Sequence, residues 1–343
     1  MELSVIIPAG RPGAARTTLA SLQAQTFFPP GGWEVLVVSP ENADTSAAAP
    51  PPGAAVRPIT VPRLEFPGVM RNAGAREAAG RWLLFVDDDI ALAPDFLAQL
   101  HALQRRWAAP GKPPVGAVGP RLPGPAENLP ARLTDLSNFW SQQGLHAGDR
   151  DWLYSATLAM PADVFRALGG FKPELRIGED VDLTLRARQA GLRVRFEPAL
   201  VAWHRHGRET FRRMWRYFWG NGDAARFLHQ QCNHPRCFSA PTAWRHARRD
   251  TRSNWELNRR DLPELARLLP AVFLNYLLFQ LSVEWHHQRD LWRDGQFARL
   301  APARPADVFA VQAFADFRAG RHGRGAWRYL RALWLDLRDP PRR

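Results

Sequence analysis

Apolar residues on consecutive positions recur four times in the first quarter of the chain: "LSVIIP" (Leu3–Pro8), "WEVLVVS" (Trp33–Ser39), "AAVRPITV" (Ala54–Val61) and "RWLLFV" (Arg81–Val86). Such unbroken runs read as strands covered on both faces. Between them the period lengthens. "AARTTLASLQAQ" (Ala14–Gln25) sets Leu19 and Leu22 on one helical face, and "VMRNAGAREAAG" (Val69–Gly80) reads as a short helix closed by Gly80. Strands alternating with helices predict a doubly wound, mainly parallel α/β sheet with flanking helices. Its ligand edge lies beyond the carboxyl ends of the strands, at Pro8, Ser39 and Asp87 onward.

From about Val115 to His204 the spacing is less regular. "WLYSATLAM" (Trp152–Met160) reads as a strand and "PADVFRALGG" (Pro161–Gly170) as a helix closed by two glycines. "GEDVDLTLRARQAG" (Gly178–Gly191) is a further helix, with Leu183, Ala187 and Ala190 on one face and acids in its first turn. A strand ending at His204 follows. Beyond it, "FRRMWRYFWG" places Phe211, Trp215 and Phe218 on one helical face, with the arginines largely elsewhere. The boundary is set near Arg208, dividing residues 1–208 from a mostly α-helical extension, 209–343. Within that extension the longest uncharged stretch, Leu268–Val283, has 16 residues. It falls short of the roughly 20 needed to span a bilayer and reads as a buried or interfacial helix.

Composition sharpens two points. With 343 residues, 45% apolar and 14 Trp, the chain folds around an ample core, while 30 Pro add loops. The net charge of +13 is uneven: Met1–His204 holds 20 basic and 20 acidic residues, and Arg205–Arg343 holds 26 and 13. The basic part suits anionic lipid, phosphorylated ligands or nucleic acid; a solvated arginine-rich face accounts for it equally well. Two cysteines build no disulfide framework, and "MELSVIIPAG" has no leader pattern, so the expected location is cytosolic.

The candidate chemistry starts at "VDDDI". In an extended strand end, Asp87 and Asp89 point the same way, roughly 7 Å apart, and need a cation or strong donors near them. A divalent metal that also holds a diphosphate meets that need; an acidic turn ahead of the helix "APDFLAQL" is the plainer reading. Order and spacing add weight. "SVIIPAGRPG", "EVLVVSPENADTS", "PGVMRNAGAREAAGRWLLFVDDDI", "LGGFKPELRIGEDVDLTLRARQAGLRV" and "EPALVAWHRHG" follow one another between Ser4 and Gly207.

This series resembles the family 2 glycosyltransferases of the GT-A fold, a Rossmann-like α/β architecture. The resemblance implies an inverting, metal-dependent transfer of a hexose or related sugar from a nucleoside diphosphate to an acceptor hydroxyl. Asp87 and Asp89 match the family's Asp-x-Asp, in which the first acid lies near the ribose and the last is on Mg²⁺ or Mn²⁺; Asp88 and Pro8, the end of the first strand, are further donor-site positions. Arg71 matches an arginine near the nucleotide. Glu179 and Asp180 match the acceptor-site pair, with Asp180 as general base; acids in a first helical turn also stabilise the helix with no chemistry at all. His204 matches a histidine that completes the metal shell, and His206 competes with it.

Two departures stand out. Where the family has an aromatic and Asn after the first strand, and paired acids after the second, this chain has "PAGR" and "VVSPEN". Ala9, Ser39 and Pro40 offer a base no stacking ring or carboxylate, which leaves Glu41 or Asp44 as substitutes and a catalytically impaired binding or scaffold protein as the alternative. In the tail, His229, Cys232, His234 and Cys237 have ligand types for zinc in no standard spacing, and His286 and His287 read as surface or helix-packing residues. The expected partners are a nucleotide-sugar donor and a saccharide, lipid-linked or other hydroxyl acceptor. The extension suits a cover over the acceptor site or the anionic inner face of a membrane, where Trp, Phe and Leu interleave with Arg. A nucleic-acid partner is disfavoured, since only the Arg and Trp of the tail speak for it.

Overall fold

Each of the first four apolar runs becomes a strand: β1 (Leu3–Pro8), β2 (Trp33–Pro40), β3 (Ala54–Val61) and β4 (Trp82–Val86). The structure is a computed structural model describing residues 1–10, 13–40, 50–108, 114–124, 128–231, 240–293, 309, 312–313, 315–316 and 319–338. The first helices are α1 (Arg16–Gln23), α2 (Pro67–Glu77) and α3 (Phe96–Trp107), with β5 (Ile90–Leu92) preceding α3. Next come β6 (Val115–Arg121), α4 (Leu129–Asn138), β7 (Gly148–Asp149), β8 (Thr157–Pro161), α5 (Ala162–Ala167), α6 (Glu179–Gln189) and β9 (Arg193–His204). The chain divides into two compact units, Met1–Glu209 with Leu257–Pro263, and Thr210–Glu256 with Glu264–Arg343.

The first unit holds a nine-stranded sheet in the order β3-β2-β1-β4-β8-β6-β9-β5, with β7 on β9. Parallel pairing runs through β3-β2-β1-β4 and again in β6-β9, while β8, β5 and β7 run antiparallel to their neighbours. The sheet is therefore mixed rather than mainly parallel. β8 re-enters from the carboxyl edge of β4, and an antiparallel return needs no crossover helix.

Alternate residues of each run feed opposite layers, which is why the runs are unbroken. Val5, Ile7, Val35, Val37 and Leu84 pack with Leu19 of α1 and Phe96 of α3 on one face. Ile6, Leu36, Val38 and Phe85 pack with Met70 of α2, Phe165 of α5 and Leu183 of α6 on the other. β3 is the exception: it is the sheet edge, and only Val61 of its eight residues is fully buried, so "AAVRPITV" is not covered on both faces. Pro58, which has no N–H for a ladder, is tolerated at such an edge.

Two local expectations change. α2 ends at Glu77, and Gly80 does not cap it; a Cβ there would lie 2.4 Å from Ser4 N, so Gly80 permits the close passage of the chain under β1. β8 is shorter than expected, because Trp152–Ser155 leaves the ladder and Trp152 and Tyr154 pack edge-on with each other, 4.8 Å apart. Gly74 brings α2 against the sheet: a Cβ would sit 2.6 Å from Ile6 Cγ2. That close seat fixes the depth of Arg71, one turn earlier.

The second unit contains α7 (Phe211–Gln231), α8 (Ala240–Asn258) up to Glu256, α9 (Leu265–Arg293) and α10 (His322–Arg338). Met214 and Phe218 form the buried seam of α7, whereas Phe211 and Trp215 are exposed and pack on each other at 5.6 Å. Gly222 continues the seam, where a Cβ would fall 2.4 Å from Ser282 of α9. α9 includes a stretch, Leu265–His286, of 22 residues that is long and apolar enough to cross a membrane, extending the uncharged run by tolerating Arg267 and Glu284. The core helix of a soluble protein passes the same test, and Asn275, Gln280, Ser282 and His286 of this helix are buried within the unit.

Candidate active site

The acids after β4 lie on a turn. β4 stops at Val86, Asp87 N donates to Ala156 O at 2.9 Å, and Ile90 N reaches back to Asp87 O at 3.3 Å. The extended geometry with Asp87 and Asp89 pointing one way is thus overturned. Thr18 Oγ1 of α1 clasps the turn, 2.9 Å from Asp87 O and 2.7 Å from Ile90 O. Each carboxylate then meets a different group. Asp87 Oδ1 accepts from Arg71 Nη2 at 2.5 Å, Asp88 Oδ2 from Gly10 N at 3.4 Å, and Asp89 Oδ1 lies 3.3 Å from His204 Nε2. Three like charges are thus each met by a separate protein group.

Arg71 is the hub. It is 2% exposed, and its second nitrogen, Nη1, donates to Glu179 Oε1 at 2.9 Å. Its guanidinium also lies 5.5 Å from the Phe171 ring centroid. Burial disfavours its charge, but Asp87 and Glu179 more than compensate and hold it protonated. The motif after β4 and the motif opening α6 are thereby tied through one side chain.

α6 is preceded at its N-cap by Gly178, whose φ of 79° is left-handed and suits glycine. Glu179, Asp180 and Asp182 occupy its first turn, where the helix dipole favours anions. Asp180 accepts from Val181 N at 2.8 Å and from Ser155 N at 3.0 Å. Burial, and the negative charge of Asp87, raise its pKa against these hydrogen bonds and Arg71. Glu179 is pushed up to about 7 by burial and by Asp180, with Arg71 opposing. Two carboxyls with upward shifts in one buried cluster form a site suited to proton transfer.

His204 closes β9 and pairs with Ile90 at the start of β5, which sets it beside the acid turn. Burial opposes ionisation of Asp89, yet the hydrogen bond and charge of His204, with Arg208, hold its carboxyl below the usual range. His206 is a different case: its Nε2 lies 3.2 Å from Asp135 Oδ1, its Nδ1 accepts from Arg208 N, and its side chain is fully buried. Both of its ring nitrogens are thus engaged within the protein. Adjacent ligand atoms around an octahedral divalent ion lie about 3 Å apart, so the Asp89–His204 pair at 3.3 Å fits two positions of one shell. Asp87 is turned to Arg71 instead, and among the described residues no three His, Cys, Asp or Glu converge as a metal-binding group.

Residues 2–218 match the family model described as "Glycosyltransferase like family 2". The chain belongs to this family. Its nine-stranded α/β sheet with flanking helices, and its C-terminal helices, agree with the expected fold class. Among relatives, the succinoglycan biosynthesis protein ExoO of Rhizobium meliloti is 31% identical over 174 residues, covering 48% of this chain and 50% of that protein. The pre-mycofactocin glycosyltransferase of Mycobacterium tuberculosis is 29% identical over 159 residues, covering 42% and 31% respectively. The chain therefore spans half or less of the length of these curated relatives. A mannosyltransferase from Pyrobaculum calidifontis, solved in complex with GDP-Man and Mn²⁺, aligns over 99% of this chain and 88% of that one, with a TM-score of 0.49 at 16% identity.

In this family 2 chain the sequence-predicted residues Arg71, Asp87, Glu179 and Asp180 come together, Asp89 and His204 form an adjoining pair, and Pro8 ends β1 two residues before the Gly10–Asp88 contact. Thr18 and Ser155 were not anticipated. Both are small polar residues inside apolar surroundings, a signal visible only once burial is known. Ala9 and Ser39 are buried, at 4% and 3% exposure, and bring no carboxylate to the end of β2. Glu41, Asp44, Cys232, His234 and Cys237 lie outside the described residues, as do the side chains of His229 and His287.

Proposed function

We propose that the first unit is a glycosyltransferase that moves a hexose or related sugar from a nucleoside diphosphate to an acceptor hydroxyl, with inversion. The observation that carries this reading is the Arg71 bridge between Asp87 and Glu179, which puts Asp180 in the charge cluster beside the acid turn. The acceptor oxygen attacks the anomeric carbon opposite the leaving group, its proton passes to the Asp180 carboxylate, and the nucleoside diphosphate departs with the C–O bonding pair. A carboxylate with an upward-shifted pKa is the better base for that proton. Ser155 N and Val181 N hold it in place. Arg71 fixes the position of Asp87 for the nucleotide, and Asp88 sits against the Gly10 backbone at the end of β1.

Asp89 and His204 would hold Mn²⁺ or Mg²⁺, which when bound neutralises the departing diphosphate. The test is a panel of nucleotide sugars in thermal shift, with and without Mn²⁺, followed by turnover. A donor that stabilises the protein only with metal, and whose consumption is abolished by Asp180→Asn, supports the reading; no stabilisation by any donor overturns it. The buried Ala9 and Ser39 favour a second reading, a binding protein without turnover. Donor binding with no consumption, unchanged by Asp180→Asn, would select that one.

A further inference from the structure

A cavity of about 530 Å³ opens in the second unit, walled by Arg245, Arg248, Arg249 and Arg252 of α8 and backed by Trp255 of the same helix and Phe273 of α9. No acid lines it. Two of these arginines are paired with acids of the same helix: Asp250 takes Arg249 at 3.1 Å and Gln280 at 3.2 Å, and Glu256 takes Arg252 at 2.7 Å. Spacing explains the cationic side. Positions 245, 248, 249 and 252 follow the i, i+3, i+4, i+7 rule and lie along one face of α8. Burial, and after it the charge of Arg249, hold the pKa of His246 below its usual value, with Asp250 opposing.

The opposite wall is apolar and continues past the cavity. Leu269 and Phe273 come from α9, and Trp244 meets Phe273 edge-on with ring centroids 4.8 Å apart. Trp244 is 47% exposed and Leu274 52% exposed. Both lie next to cavity residues in the chain, and α9 carries the stretch long and apolar enough to cross a membrane. Elsewhere in the unit α10 exposes Trp327, Leu330 and Trp334 on one side, with the guanidinium of Arg331 5.8 Å from the Trp327 ring and 5.6 Å from that of Trp334.

We infer that this cavity binds the phosphate of an anionic phospholipid, with the arginines on the headgroup and the hydrocarbon along Leu269, Phe273 and Leu274. Guanidinium forks match phosphate oxygens in pairs, and aromatic rings beside cations are the composition of a membrane interface. A soluble phosphate would leave the aromatic and leucine wall in water. A nucleic acid would meet a single cavity instead of a track of successive phosphates. The site would dock the protein on an anionic leaflet, independently of whether the first unit turns over a sugar.

The experiment is co-sedimentation of the full chain with phosphatidylcholine vesicles, with and without phosphatidylglycerol. Binding is expected only with the anionic lipid, and Arg245→Gln with Arg248→Gln should lower the partition coefficient about 25-fold, at about five-fold per arginine near such a surface. Lysines at the same two positions should restore most of it, while Arg212→Gln with Arg213→Gln on α7, an equal loss of charge, should change it far less. Phe273→Ala should weaken vesicle binding and leave the thermal response to inorganic phosphate unchanged. Equal binding to neutral vesicles, or an equal loss in the α7 pair, overturns the inference. So does stabilisation by inorganic phosphate or glycerol 3-phosphate, abolished by the α8 pair, in a protein that ignores vesicles. Displacement of the vesicles by an RNA oligomer through the same arginines overturns it as well.

Discussion

Replacing Arg71 with Met removes a charge while keeping much of the side chain's volume, and the structure sets the cost. Arg71 is 2% exposed and neutralises Asp87 at 2.5 Å and Glu179 at 2.9 Å. Deleting one partner of such a buried group costs about 3–5 kcal/mol, because the remaining charges stay out of water without a counterion. The loss should depend on pH. In the native protein Glu179 is raised from 4.5 to about 7, so between those values the folded chain keeps a proton that the unfolded chain has released. Stability from this group is therefore complete below the unfolded value and falls as pH rises through about 7, by about 3 kcal/mol in all. Without Arg71 the carboxyl moves further up, and the decline continues above pH 7. The destabilisation by Arg71→Met should be largest at pH 8 and at least about 1 kcal/mol smaller at pH 5, where Glu179 is neutral in both proteins. Urea titrations at pH 5, 6.5 and 8, followed by tryptophan fluorescence, measure this, with Arg63→Met on the exposed Arg63–Glu65 pair as a control that should not move. A cost below about 1 kcal/mol at pH 8, or the same cost at pH 5 and 8, would refute the buried bridge as described.

Three further outcomes are expected. Asp180→Asn should lower kcat by about 10²–10⁴ while nucleotide-sugar binding by calorimetry stays within a few-fold; an equal loss in binding would assign the residue to the donor instead. The acid limb of kcat/KM should fall as pH drops through the raised pKa of Asp180, so a limb at the ordinary 3.8 or below would contradict burial as its cause. Gly80→Ala should destabilise by about 1–3 kcal/mol, since its Cβ would meet Ser4 N at 2.4 Å and backbone gives way less readily than a side-chain end; an unchanged urea midpoint would show that the loop shifts freely.

The strands were legible because burial on both faces leaves a signature that local reading detects. β1 and β3 have the bounds of their apolar runs, and β2 and β4 differ from theirs by one residue. Depth in the sheet was less legible. "AAVRPITV" has the same look as its neighbours, and only its place at the sheet edge explains why Arg57 and Thr60 face outward in part. Faces of the second unit misled in a similar way: Phe211, Trp215 and Phe218 share a side by spacing, yet the seam follows Met214 and Phe218, since Gly222 lets α9 approach there and not one residue row away.

The site shows where local reading stops for a physical reason. The residue types at Arg71, Glu179, Asp180 and His204 could be singled out along the chain, but the state of "DDD" depended on donors distant in sequence: Arg71 for Asp87, Gly10 for Asp88 and His204 for Asp89. An isolated strand end has no such donors, and like charges would then have to share an ion. Once Thr18 bends the turn, each carboxylate reaches a protein partner of its own, so the Asp89–His204 pair and the Asp87–Asp89 pair become two alternative seats for a metal. The substitution that separates these two solutions is His204→Ala: if the Asp89–His204 pair holds the ion, Mn²⁺-dependent stabilisation by a nucleotide sugar should weaken by at least about 10–100-fold in apparent metal affinity, since losing a direct ligand costs no less than losing a group that supports one. If Asp87 and Asp89 share the ion as an extended strand would have them do, His204→Ala should leave that affinity untouched and Arg71→Met should raise it, by freeing Asp87.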